Sequence, residues 1–232
     1  VIPFTESQFI LMALFISICH MIVIEGLIQH KAGINGVFIT VVRLAAACLA
    51  VFIASQFLPG TEIPVVMPAS IGARLPLSAA LLAWTISTVK LMLKILAIIV
   101  PVMIVLELLK ELGYTGRIAR VFKPFMLLLG LPPNVATMWV TGTFFGLIYG
   151  SAVIVEESTS GRFTEEELTR LHISLGISHS MVEDPALFLA LGVGLQWTVL
   201  PRLLAAALAV HLYRLSRAIG LRLRPSLQSQ EL

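Results

Sequence analysis

The sequence predicts an all-α fold, a polytopic transmembrane helix bundle of about six spans that forms a single transmembrane domain over residues 1–232. Three observations carry that expectation. The chain is 58% hydrophobic and only 12% charged, with a mean hydropathy of +0.96, a balance that suits lipid rather than water as the surrounding medium. Several apolar stretches reach the roughly 20 residues needed to cross a bilayer. Finally, residues 4–51 recur without a gap as residues 163–210, keeping His20 as His179, Glu25 as Asp184, Gly33 as Gly192 and Arg43 as Arg202. Leu and Ala match by chance in any apolar chain, whereas ionisable residues duplicated at fixed spacing indicate one polar arrangement built twice.

The spans are expected at 8–29, 37–57, 90–110, 134–155, 167–191 and 195–213. The first and fifth open alike: Thr5 with Gln8, and Thr164 with Glu167, have the spacing of a capping box, in which a hydroxyl and a side chain three residues later satisfy the first free amides of a helix. Each repeat reads as a helical hairpin, over residues 4–57 and 163–213, turning at Gly33-Ile34-Asn35-Gly36 and at Gly192-Val193-Gly194, where glycine accepts the backbone angles of a tight reversal. Between them Pro59, Gly60, Pro64, Pro68, Gly72 and Pro76 exclude a continuous helix. Helical patterning resumes from Leu77 to Thr88, expected along the interface or re-entering the membrane. Lys90 and Lys94 fit the mouth of the third span, and Pro101 a kink within it. A basic connector with Lys110, Arg117, Arg120 and Lys123 then leads to Pro132-Pro133-Asn134, where the helix breaks. A second break is expected near Pro185. Gly142, Gly146 and Gly150 fall every four residues and predict a small-residue packing face on the fourth span.

With six spans the copies are four apart and point the same way, a parallel repeat, and the positive-inside rule puts both termini in the cytoplasm. Val1 is not followed by a charged, cleavable leader pattern, so the first segment is expected to be a retained span. The net charge of +3 comes from basic residues at the ends of apolar segments, which argues against a nucleic-acid partner. Cys19 and Cys48 lie inside apolar segments without metal-ligand spacing and read as small buried residues.

In an antiparallel hairpin Glu25 and Arg43 are equidistant from position 34, and Asp184 and Arg202 from position 193, so each carboxylate is expected to meet its guanidinium. An unpaired charge at the centre of a membrane helix costs roughly 2.5 to 3.5 kcal/mol, which favours two such ion pairs. His20 and His179 lie deeper. His172, His179 and Glu183 share one helical stripe, and the following Asp184-Pro185 makes a broken acidic helix at membrane depth, the kind of place where transporters bind ions and solutes. The substrate or ion site is therefore expected at His20, His179, Glu183, Asp184 and Glu25, with Asn134 offering neutral hydrogen bonds at the diproline break. Imidazole with carboxylate suits either a divalent metal ion, held by His20, His179 and Glu183, or a proton relay, and the residues leave both open.

The segment from Lys90 to Val155, with Lys94, Pro101, Gly113, Pro124, Gly130-Leu131-Pro132, Gly142 and Gly146, resembles the nucleoside-recognition (Gate) family of bacterial integral membrane proteins. The run Ile177-Ser178-His179-Ser180-Met181-Val182-Glu183-Asp184-Pro185 is similar to its stand-alone members. The resemblance makes residues 77–155 the central Gate-like helices and implies solute permeation without fixing a solute. The chain is thus expected to be a secondary transporter or permease, not an enzyme, moving a small nucleoside-like solute or a divalent cation across a bacterial inner membrane. Two alternatives stay open: a membrane scaffold or partner subunit with purely structural ion pairs, and an intramembrane metal-dependent hydrolase, for which an HExxH arrangement is missing. A P-loop is missing as well. Lipid is the expected surrounding partner, and the second copy, two spans long, makes a homodimer a further expectation.

Overall fold

The computed structural model describes residues 5–58 and 76–228, and the regular elements among them are all helices. The first copy folds as α1 (Glu6–Cys19), α2 (Ile22–Lys31) and α3 (Gly36–Ser55). A central block follows with α4 (Leu77–Glu111), α5 (Thr115–Leu128), a short 3-10 turn (Pro133–Val135), α6 (Ala136–Phe144) and α7 (Leu147–Thr159). The second copy is α8 (Glu165–Ser178), α9 (Glu183–Ala190) and α10 (Leu195–Gln228). Both expected capping boxes close α1 and α8 at Thr5 and Thr164, and both hairpin turns pass through a glycine of positive φ, Gly33 and Gly192. Four segments are long and apolar enough to cross a membrane: 6–31, 36–55, 77–111 and 195–220. The protein is an integral membrane helical bundle. Pro59, Gly60, Pro64, Pro68 and Gly72 lie outside the described residues.

The two copies are inverted with respect to each other. Phe38, in the first turn of α3, stacks against Tyr213 far along α10 with ring centroids 6.0 Å apart, so these equivalent helices run in opposite directions. Likewise Ile10 and Ala13 near the start of α1 pack with Phe188 and Val193 at the end of the other copy's broken helix. This overturns the parallel repeat, and the cause is the fourth expected span. Residues 134–155 do not cross. The chain reverses at Phe145–Gly146, where Gly146 has a φ of +80°, and α7 folds back on α6. Without that crossing, equivalent helices stand three spans apart rather than four, the odd offset that an inverted repeat requires.

The reversal also reassigns the glycines. Gly142, Gly146 and Gly150 do not form one face of one helix. Gly146 makes the turn, while Gly142 and Gly150 meet across it: a Cβ on Gly150 would lie 3.2 Å from Thr141 Cγ2 and 3.3 Å from the Gly142 backbone. A helix running straight through would hold these two residues about 12 Å apart, so small residues here bring the arms of a hairpin together. The third span is longer than expected, because Leu77 to Thr88 continues into it as one 35-residue helix that contains Pro101. Lys90 and Lys94 therefore sit near the middle of α4 rather than at its mouth.

Around this frame α5 lies with its Phe122 against Trp139 and Phe144 of α6, at centroid distances of 5.9 and 5.0 Å. Its C-terminal end is pinned to α10, where His211 Nε2 donates to the Leu128 carbonyl at 3.1 Å. Between α3 and α10 runs an apolar groove of about 680 Å³, lined by residues such as Ala46, Ala50, Leu204 and Ala209 and by no charged side chain. It suits acyl chains rather than a polar solute.

Two measurements check this architecture. Reporter fusions ending at Leu58 and at Ser160 should report opposite sides of the membrane; the same side for both would restore the parallel count. Gly150→Leu should destabilise the folded protein by about 1–3 kcal/mol through overpacking of the hairpin, read as a lowered midpoint of thermal unfolding in detergent.

Candidate functional site

Each copy builds the same broken helix, and a buried arginine holds the break. In the first copy α1 stops at Cys19, His20 is extended, Met21 has a φ of +59°, and α2 begins at Ile22. In the second, α8 stops at Ser178, His179 is extended, Ser180 has a φ of +51°, and α9 begins at Glu183. Neither Met nor Ser favours a left-handed backbone, so tertiary contacts must impose it. Ending a helix leaves its last carbonyls without amide partners, a serious cost inside a membrane. Arg202 answers it: Nε donates to the Ile177 carbonyl at 3.1 Å, Nη2 to the His179 carbonyl, and Nη1 to Asp184 Oδ2 at 3.1 Å. Arg43 repeats this on the Ile18 carbonyl, the His20 carbonyl and Glu25 Oε2. The planar guanidinium joins two freed carbonyls to a carboxylate that neutralises it, which a lysine ammonium lacks the shape to do.

This geometry corrects the expected break near Pro185. The interruption lies earlier, at His179 to Val182, and Pro185 sits in the first turn of α9, where a missing amide costs little. Proline does not cause it, because the first copy has the same break with Gly26 in the corresponding place.

The copies meet at their breaks. His20 Nε2 and His179 Nε2 are 3.3 Å apart, with ring centroids at 4.7 Å. The carboxylates cross over: His20 Nε2 is 3.5 Å from Asp184 Oδ1, and His179 Nδ1 is 2.9 Å from Glu25 Oε1, an oxygen on which no donor is well aligned. In both rings Nδ1 also lies 3.2 Å from the carbonyl four residues back, Ile16 for His20 and Leu175 for His179. A carbonyl only accepts, so a neutral ring that donates to it carries its proton on Nδ1 and presents Nε2 as an acceptor. In that tautomer two Nε2 atoms and a carboxylate oxygen of Asp184 converge as acceptors, and the candidate ligand atoms of the three residues lie within 4.8 Å of one another. Acceptors that face each other call for a positive charge between them.

The expected site residues divide accordingly. His20, His179, Asp184 and Glu25 come together, with Arg43 and Arg202 behind them. Glu183 does not join them: it faces the hairpin turn, where its Oε2 lies 3.1 Å from the position a Cβ on Gly146 would take. The triad suited to a metal is thus His20, His179 and Asp184 rather than His20, His179 and Glu183, because the break rotates Glu183 off the histidine stripe. His172, expected on that stripe, is buried with its Nε2 lacking a hydrogen bond among the described residues. Asn134 is remote from the centre and donates to Glu167 Oε1 at 3.0 Å, tying the 3-10 turn to the start of α8. The guanidinium contacts to Ile18, His20, Ile177 and His179 were missed from sequence, since carbonyl acceptors leave no trace in side-chain identity. Hairpin contacts were missed too: the Ser180 and Met181 amides donate to the Gly142 and Thr143 carbonyls at 3.3 and 2.7 Å.

Against known proteins, a family model described as nucleoside recognition, Gate, matches residues 92–210. An uncharacterized membrane protein of Bacillus subtilis (strain 168), YvoD, is 29% identical over 209 residues, which cover 87% of this chain and 66% of the relative. The chain thus spans a little under two thirds of that relative's length. No solved structure matches.

Removing either clamp should be severe. Arg202→Ala leaves Asp184 and two carbonyls unpaired, and a loss of about 3–5 kcal/mol of stability is expected. Arg202→Lys should recover only part of it, as read by unfolding in detergent, because one ammonium cannot reproduce the forked contacts. Equal stability of the Lys variant and the parent would contradict the clamp.

Proposed function

The chain belongs to the nucleoside-recognition (Gate) family of membrane proteins, and on that premise we propose that it is a secondary transporter or permease of a bacterial inner membrane whose central step is binding of a cation by His20, His179 and Asp184. The observation that carries this reading is the convergence of three acceptors where two inverted, broken helices meet. Glu25 and Asp184 are balanced by Arg43 and Arg202, so the centre holds no surplus charge of its own. A cation arriving between the imidazoles supplies the missing donor.

Two cations fit the chemistry. A proton on one Nε2 turns the 3.3 Å contact into a hydrogen bond between imidazoles, and shuttling it between copies couples the centre to a proton gradient. A divalent transition metal fits as well: bonds of about 2.0–2.1 Å to two imidazoles at a tetrahedral angle put the nitrogens about 3.3 Å apart. The cation is then either the cargo or the coupling ion for a small polar, nucleoside-like solute. Inverted repeats with unwound helices meeting at mid-membrane are a common transporter device, since each copy opens to its own side.

Flux into proteoliposomes tests the proposal. His179→Ala, His20→Ala and Asp184→Asn should each abolish uptake of the solute or divalent cation that the parent carries, while circular dichroism and gel filtration report a folded protein. An imposed pH gradient should drive uptake if the cation is a proton and leave it unchanged if the cation is the cargo. Undiminished flux in all three variants rejects the assignment.

A further inference from the structure

One face of the second copy is covered by the α6–α7 hairpin, and the equivalent face of α1 is exposed, although α7 also touches α2. In the second copy Leu171, Ser174, Leu175 and Ser178 share one buried face of α8, and Ser174 and Leu175 meet the α6–α7 hairpin. Trp139 Nε1 donates to Ser174 Oγ at 3.0 Å, and Leu175 Cδ2 would lie 2.9 Å from a Cβ on Gly142. These four residues are at most 2% exposed. The equivalent residues of α1 are Met12, Phe15, Ile16 and Cys19, of which the first three are 39%, 37% and 46% exposed. Val23, one turn further on, is 77% exposed, whereas its equivalent Val182 packs against the core.

Backbone and site repeat the asymmetry. The Ser180 and Met181 amides are satisfied by the hairpin's Gly142 and Thr143 carbonyls, while the equivalent Met21 and Ile22 amides find no acceptor among the described residues. Lipid tails cover apolar side chains well but accept no hydrogen bond, so acyl chains satisfy the exposed face and not the two amides. His179 is sealed, with its side chain fully buried, while the His20 side chain keeps 26% of its surface open.

We infer that the face formed by Met12, Phe15, Ile16, Cys19 and Val23 docks a second membrane-embedded helical hairpin of the α6–α7 kind, supplied by polypeptide outside residues 1–232. Its chemistry is set by the copy that has one: two short apolar helices about a glycine turn, a small residue where the hairpin crosses α1, and two carbonyls at the end of the first helix to accept the Met21 and Ile22 amides. A second copy of residues 1–232 does not fit the role, because its own hairpin is already committed to its own α8. Once docked, the hairpin closes the His20 side of the centre as α6–α7 closes the His179 side. The inference stands on the internal symmetry and holds whichever cation, if any, the centre takes.

Photo-crosslinking in the native membrane tests it. A benzophenone amino acid at Ile16 or at Val23, with Val41 of α3 as a lipid-facing control, should yield adducts whose sequenced peptide has two apolar helical runs flanking a glycine and does not occur in residues 1–232. In the same membranes, hydrogen exchange of the Met21 and Ile22 amides should fall within about tenfold of that of Ser180 and Met181. Lipid adducts alone, adducts to a second copy of residues 1–232, or faster exchange at Met21 and Ile22 would each overturn the proposal.

Discussion

The structure depends on a buried guanidinium that closes a broken helix. A helix interrupted at membrane depth exposes carbonyls to a medium that offers them no donors, and a buried arginine is costly in the same medium. Each problem solves the other. Arg43 and Arg202 give their donors to the carbonyls freed at His20 and His179, and Glu25 and Asp184 remove the remaining charge. The clamp then holds Met21 and Ser180 in left-handed backbone that their side chains do not favour. Extended histidines follow from it, because the residue before the left-handed turn leaves the helical path and carries its imidazole toward the other copy.

From that constraint comes the chemistry at the centre. Both imidazoles keep Nδ1 against the carbonyl of the preceding turn, so both direct Nε2 outward, and inversion brings the two outward atoms to 3.3 Å. Crossed carboxylate contacts lock one copy to the other, His20 with Asp184 and His179 with Glu25. Each imidazole thus touches the carboxylate that the other copy's arginine holds. The binding proposed for this centre would reach both broken helices through these contacts.

Three further contacts show why the central block matters to the site. The hairpin supplies carbonyls to the second break, its Trp139 holds Ser174, and its Gly146 leaves room for Glu183. Small residues at Gly142 and Gly150 allow the two arms to lie close enough for the turn to fit beside α8. The break is thus held from two directions, by a guanidinium from α10 and by the hairpin from the opposite flank.

The sequence by itself determined that the chain is a helical membrane protein, that it contains two copies of one hairpin, and which carboxylate pairs with which arginine. These follow from features that composition and spacing carry directly: apolar length, a fixed offset between Glu25 and Asp184 or Arg43 and Arg202, glycines at Gly33 and Gly192, and capping hydroxyls at Thr5 and Thr164. Only the tertiary structure decided the direction of the repeat, the site of the break and the identity of the third acceptor. A reversal at Gly146 and a straight helix with glycine every fourth residue have the same one-dimensional pattern, so the hairpin was not legible in Gly142, Gly146 and Gly150. Pro185 drew attention away from the true break because proline is a visible helix breaker, whereas a guanidinium bonded to carbonyls of another helix is not visible at all. Asp184 replaced Glu183 at the centre because helical phase carries a stripe only as far as the helix is continuous, and this one stops at Ser178.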